Sequence, residues 1–118
     1  MRAGVDIIEI ERIQRILDRY GERFLQRVYT ESEAARYGRY TPELAARFAG
    51  KEAVSKALGT GFAGVAPREI EILSDPRGKP VVHLWGRAQA RAQELGLGQI
   101  EISLSHSQEY AVAFVIAM

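Results

Sequence analysis

Residues 41–61 read TPELAARFAGKEAVSKALGTG, the longest segment with a helical pattern. Phe48, Ala49, Ala53 and Ala57 mark one packed side made mostly of small residues, so the stretch predicts a helix that lies close against its neighbours. Thr41 is expected as the N-cap and Pro42 in the first helical position, where a missing N–H costs nothing. Gly59-Thr60-Gly61 ends the helix after Leu58. It is the longest helix the sequence predicts.

Strands and shorter helices lie on both sides of it. Upstream, Arg2–Ile10 reads as a strand, and Glu11–Tyr20 as an amphipathic helix with Ile13, Ile16, Leu17 and Tyr20 on one stripe. Gly21 ends or bends that helix, Glu22–Val28 continues it, and Thr30-Glu31-Ser32-Glu33 has the T-x-x-E form of a capping box opening a helix through Tyr37. Downstream, Glu69–Ser74 alternates like a half-buried strand, Asp75-Pro76-Arg77-Gly78 forms a turn, and KPVVHLW (79–85) returns as its hairpin partner. Gly86–Leu95 is an alanine-rich helix, and Gln99–Ser105 and Tyr110–Ala117 make a second strand pair around Ser107-Gln108. The class is α+β, an antiparallel sheet packed against helices, with residues 1–118 as one domain.

Composition removes several functions. The 118 residues contain no cysteine, which excludes a disulfide framework, a thiolate zinc site and a catalytic cysteine, and fits a cytoplasmic home. No apolar run approaches membrane-spanning length, and the N-terminus enters a strand without a signal-peptide core. With 16 Lys and Arg against 15 Asp and Glu, the net charge of +1 gives no bulk attraction for nucleic acid.

The chemistry begins at GVDIIEI (4–10), where Asp6 stands among β-branched residues. A carboxylate there loses hydration and needs hydrogen bonds, a cation or a metal in compensation. Glu52 and Lys56 lie four residues apart on one face of the long helix. Their plain alternative is a surface ion pair worth a few tenths of a kcal/mol, roughly. Taken with Asp6, however, Glu52 completes a pair of carboxylates of the kind that holds Mg2+, with phosphate oxygens and water filling the octahedron. Lys56, one turn along, suits the same phosphate.

SLSHS (103–107) offers His106 and hydroxyls as phosphate donors, or simply a turn histidine. A Ser-His hydrolase is disfavoured, since no G-x-S-x-G elbow occurs. His83, inside a strand, is assigned no chemistry. Gly78-Lys79-Pro80 is a turn in which a backbone can approach a ligand and a lysine can reach a phosphate. Arg12, Arg15, Arg19 and Arg23 recur every three or four residues and form a guanidinium stripe if helicity survives Gly21. The plain alternative is a solvated face, with Glu11, Asp18 and Glu22 available to pair with it. A nucleic-acid reading would rest on this stripe alone and lacks an aromatic stacking platform.

Together these motifs resemble the small 4'-phosphopantetheinyl transferases, the holo-[acyl-carrier-protein] synthase family. GVDIIEIERI is similar to the family's N-terminal G-[IV]-D motif, RFAGKEAVSKALGTG to its F-x-x-K-E-A-x-x-K-A-x-G helix, and DPRGKP and SLSHS to its later loops. The resemblance spans essentially the whole chain. It implies transfer of the 4'-phosphopantetheine arm of coenzyme A to a serine of apo acyl carrier protein, with release of 3',5'-ADP, in support of fatty acid biosynthesis.

By motif match, Asp6 and Glu52 would hold Mg2+ on the pyrophosphate. Lys56 would stabilise or protonate the leaving phosphate, and Glu52 would take the serine proton through a water. Lys79, Pro80 and His106 would hold the adenosine end, with His106 near the 3'-phosphate. Arg12, Arg15, Arg19 and Arg23 would dock the acidic carrier helix. In double-length members of the superfamily, residues resembling KP and SHS come from the first half and those resembling GID and KE from the second. The resemblance therefore implies a homotrimer whose Asp6/Glu52 and Lys79/His106 meet between protomers, while the balanced charge and short apolar runs give no expectation of nucleic-acid or membrane partners. A non-catalytic coenzyme A-binding regulatory module is the alternative, and it leaves Asp6 and Glu52 unexplained.

Overall fold

A computed structural model describes all of residues 1–118. In chain order it has β1 (Arg2–Glu9), α1 (Ile10–Tyr20), α2 (Glu22–Val28), α3 (Glu31–Tyr37), α4 (Thr41–Leu58), a single-turn α5 (Gly61–Gly64) and a 3-10 turn (Pro67–Glu69). There follow β2 (Ile70–Ser74), β3 (Pro80–Leu84), α6 (Gly86–Glu94), β4 (Ile100–His106) and β5 (Tyr110–Ala117). The class is α+β, as expected, but the strands divide into two sheets: β1-β5-β4, antiparallel throughout, and the β2-β3 hairpin.

Small residues place α4 across both sheets. A Cβ on Gly4 would overlap the carbonyl of Ala53, so β1 and α4 touch backbone to backbone there. A Cβ on Gly50 would meet methyls of Ile72 and Ile102, one from each sheet. Around this crossing Leu44, Ala49, Ala53, Val54 and Leu58 of α4 join Ile8, Ile13, Ile70 and Val115 in one buried core. Each such Leu, Ile or Val contributes about 1.5–3 kcal/mol by leaving water. Gly59, with φ 76°, ends α4 in the left-handed conformation glycine adopts without strain.

Three local expectations change. The strand ends one residue early, because Ile10 turns into the core as the first residue of α1 and donates its N–H to the Glu109 carbonyl. Tyr40, not Thr41, is the N-cap of α4: the Thr41 hydroxyl donates instead to Gln14 Oε1 at 2.5 Å, tying α4 to α1. In β2, Ile70, Glu71 and Ile72 are all buried in place of an alternating pattern, since Glu71 accepts a hydrogen bond from Thr30 Oγ1 at 2.6 Å under α3. The Thr30/Glu33 capping box forms as the sequence indicates.

On the face of β1-β5-β4 turned away from α4, β1 and β5 carry an exposed apolar cluster, while β4 contributes Glu101, Ser103 and Ser105. Val5 and Phe114 stand opposite each other on it, as do Ile7 and Val112. Val5, Ile7 and Phe114 are respectively 55%, 63% and 47% exposed, a large apolar patch for a chain of this size.

Candidate active site

Asp6 lies between Gly4 and Ile8 on the inner row of β1, so the strand points its carboxylate at α4. It meets Lys56, whose Nζ donates to Asp6 Oδ1 at 3.0 Å and to the Val5 carbonyl at 3.1 Å. The sequence spacing offered Lys56 to Glu52 along one helix; the fold gives it to Asp6 across the strand. Partial burial, and then the charge of Asp6, push the Glu52 carboxyl above its ordinary range, while Lys56 and Arg12 pull it down. Asp6, Glu52, Lys56 and Arg12 thus share one electrostatic site at the C-terminal half of α4.

This donor set fits a hard divalent cation. Two carboxylates that raise each other's energy are relieved by a cation between them, and Mg2+ commonly takes only one or two from the protein. Nowhere in the chain do three or more His, Asp or Glu side chains gather as a self-sufficient metal cage. Any ion here would need oxygen ligands from a substrate or water.

A second site forms at the other end of α4. Pro80 and Gly78 from the hairpin and His106 and Ser105 from the end of β4 line a cavity of about 280 Å³ with Glu43 and Arg47 of α4. Lys79, beside it, pairs with Glu101 Oε2 at 3.0 Å. His106 Nε2 lies 3.6 Å from Glu43 Oε1. Arg47 was not singled out in the sequence. It is 2% exposed, donates to Glu43, the Ile72 carbonyl and Ser74 Oγ, and stacks its guanidinium 3.5 Å above the Tyr37 ring. Its place one helical turn before Lys51 and four residues after Glu43 was the available signal.

The fold does not bring the two sites together within one chain. Asp6 faces Ala113, which faces Leu104, and His106 lies two residues further along β4. Two strand spacings and two residues make that separation about 12 Å.

The arginine stripe is interrupted. Gly21, at φ 53°, ends α1 and starts α2 on a new axis, so Arg12, Arg15 and Arg19 share one helix and Arg23 belongs to the next. All four are exposed and none takes part in an ion pair, so the stripe is solvated but not neutralised by Glu11, Asp18 or Glu22. Arg23, with Arg27, flanks a groove of about 420 Å³ floored by Ile16, Tyr20, Phe24 and Phe48. Phe48 is one turn before Glu52, so groove and carboxylates adjoin.

A family model described as the 4'-phosphopantetheinyl transferase superfamily matches residues 2–115. The chain is 50% identical to the holo-[acyl-carrier-protein] synthase of Herpetosiphon aurantiacus, over 98% of this chain and 96% of that protein. Its fold superposes on the Neisseria meningitidis holo-[acyl-carrier-protein] synthase with a TM-score of 0.89 at 34% identity, covering 99% and 97% of the two chains. The Helicobacter pylori synthase, solved in complex with coenzyme A, also gives 0.89 at 29% identity, covering 98% and 99%. The chain belongs to the 4'-phosphopantetheinyl transferase superfamily and, within it, to the holo-[acyl-carrier-protein] synthases. It is therefore a phosphopantetheinyl transferase.

Proposed function

We propose that this chain transfers the 4'-phosphopantetheine arm of coenzyme A to a serine hydroxyl of apo acyl carrier protein, in the cytoplasm and in support of fatty acid biosynthesis. The observation that carries the reading is the convergence of Asp6, Glu52 and Lys56, two carboxylates and an ammonium matched to a metal-bearing pyrophosphate. Asp6 and Glu52 would hold Mg2+, which when bound offsets negative charge on the pyrophosphate.

The remaining chemistry is the protein's own. The serine Oγ–phosphorus bond forms as the bond to the bridging pyrophosphate oxygen breaks, and the electron pair leaves on that oxygen as 3',5'-ADP. Glu52 accepts the serine proton through one water. Lys56 donates to the departing phosphate. At the other cavity Lys79 and His106 hold the 3'-phosphate end against Pro80, with Arg47 as a further cation.

Two features favour a closed homo-oligomer, taken here as a trimer. The two sites are separated within a chain, so partners from different protomers would complete each cleft. The bare face bearing Val5, Ile7 and Phe114 gives those protomers an apolar surface to bury. Carrier docking falls to Arg12, Arg15 and Arg19, and to the groove beside Arg23.

Mass spectrometry tests the reading. Incubation with coenzyme A, Mg2+ and a purified apo carrier should add the mass of one phosphopantetheine arm to the carrier and release an equal amount of 3',5'-ADP. Asp6→Asn should reduce that rate by orders of magnitude while the protein stays folded. A folded Asp6→Asn enzyme with wild-type turnover would refute the metal assignment.

A further inference from the structure

One edge of β2 pairs with β3, and the other faces α3 and α4 without a neighbouring strand. Side chains occupy that open edge in order. Lys51 Nζ donates to the Ile70 carbonyl at 2.5 Å, and Glu33 Oε2 accepts from the Ile72 N–H at 2.8 Å. Arg47 Nε donates to the Ile72 carbonyl at 2.9 Å, and the Tyr37 hydroxyl accepts from the Ser74 N–H at 3.1 Å. Glu33 and Lys51 are both fully buried and bonded to each other at 2.7 Å. The other Lys51 proton goes to the Pro67 carbonyl.

The match is one of spacing. Arg47 and Lys51 are one helical turn apart, about 6 Å along α4. The carbonyls they bond are two strand residues apart, about 7 Å along β2. Helix and strand therefore lock in a single register, held by groups that cannot be left unpaired once buried.

That register carries through the Asp75–Gly78 turn to Pro80, which lines the cavity opposite His106. We propose that Glu33 and Lys51, with Tyr37, are positioning residues for coenzyme A: they replace a missing third strand and so fix the hairpin at the separation from Arg47 and His106 that the adenosine end requires. The inference rests on the coenzyme A reading of this cavity. Lys51 adjoins Glu52 in sequence, yet the helix turns it about 100° away and into the core.

The test compares two affinities in the full-length protein, with circular dichroism verifying the fold. Calorimetry with 3',5'-ADP reads the cavity, and titration with Mn2+ reads Asp6 and Glu52. Lys51→Met should weaken 3',5'-ADP binding about tenfold, as loss of a charged hydrogen-bonding centre does, and leave Mn2+ affinity within about twofold. Tyr37→Phe keeps the ring beneath Arg47, removes only the hydroxyl that accepts from the Ser74 N–H, and should weaken 3',5'-ADP about threefold.

A folded Lys51→Met protein with wild-type nucleotide affinity overturns the inference. So does equal loss of both ligands, which marks general loosening. If Lys51→Met does not fold, unchanged nucleotide affinity in Tyr37→Phe overturns it instead. Failure of the wild type to bind 3',5'-ADP defeats the coenzyme A reading itself, and the inference with it.

Discussion

Lys56 reaches across to β1, where its Nζ lies 3.0 Å from Asp6 Oδ1. A cation entering between Asp6 and Glu52 must compete with this ammonium for the same oxygen. Lys56→Met should therefore bind Mn2+ severalfold more tightly than the wild type while losing turnover by orders of magnitude. Paramagnetic resonance of free Mn2+ measures the first effect and the carrier assay the second. Equal or weaker metal binding would show that the ammonium does not occupy the metal's position.

Glu52 gives a pH-dependent stability difference. Its carboxyl binds a proton more tightly folded than unfolded, for reasons of burial first and Asp6 second. Ionisation therefore opposes folding: the penalty is absent below the unfolded carboxylate range and develops as pH rises through the raised folded value. In EDTA, Glu52→Gln should melt higher than the wild type at neutral pH and lose that advantage near pH 4 or so. Added Mg2+ should shrink the difference, because only the wild type keeps both ligands. Thermal scans at the two pH values decide it, and identical melting at neutral pH would contradict the assignment.

Assembly is testable by charge placed on the bare sheet face. If the proposed clefts lie between protomers, Ile7→Glu or Phe114→Glu should yield a monomer that binds carrier and coenzyme A poorly together. Mixing inactive Asp6→Asn with inactive His106→Ala should restore part of the activity through mixed clefts. Light scattering that finds a fully active monomer, or no recovery where subunits demonstrably exchange, argues against a shared site.

The proposed carrier docking should divide along the break at Gly21. Arg23→Glu, at the groove and on α2, should raise the Michaelis constant for the carrier and spare that for coenzyme A. Arg12→Glu should also lower turnover, because Arg12 is close enough to act on Glu52. Both defects should narrow as salt rises, since exposed charges are screened within about 10 Å at 0.1 M. Equal damage to both substrates by Arg23→Glu would remove it from the docking surface.

What the sequence made legible follows from what is local. Periodicity finds α4 and both strand pairs, and the T-x-x-E motif finds the Thr30/Glu33 capping box, because each depends on neighbours a few residues apart. Asp6, Glu52 and Lys56 stood out because charged groups on apolar elements need an explanation. Lys51 did not stand out, although it is the more deeply buried charge, since its partners come from Glu33, Pro67 and Ile70. Arg47 was hidden for the same reason. The division into two sheets was equally invisible, because alternation records which face of a strand is buried and says nothing of which strand lies alongside.

The meeting of Gly4 with Ala53 has a consequence for the acids on either side of it. Asp6 moves with β1, two residues beyond Gly4 on the same face, and Glu52 moves with α4, one residue before Ala53. The distance between two charged groups is thus governed by a residue with no side chain at all. Gly4→Ala would leave Asp6, Glu52 and Lys56 in place in the sequence, and yet a single methyl group wedged between strand and helix would spread the carboxylates apart.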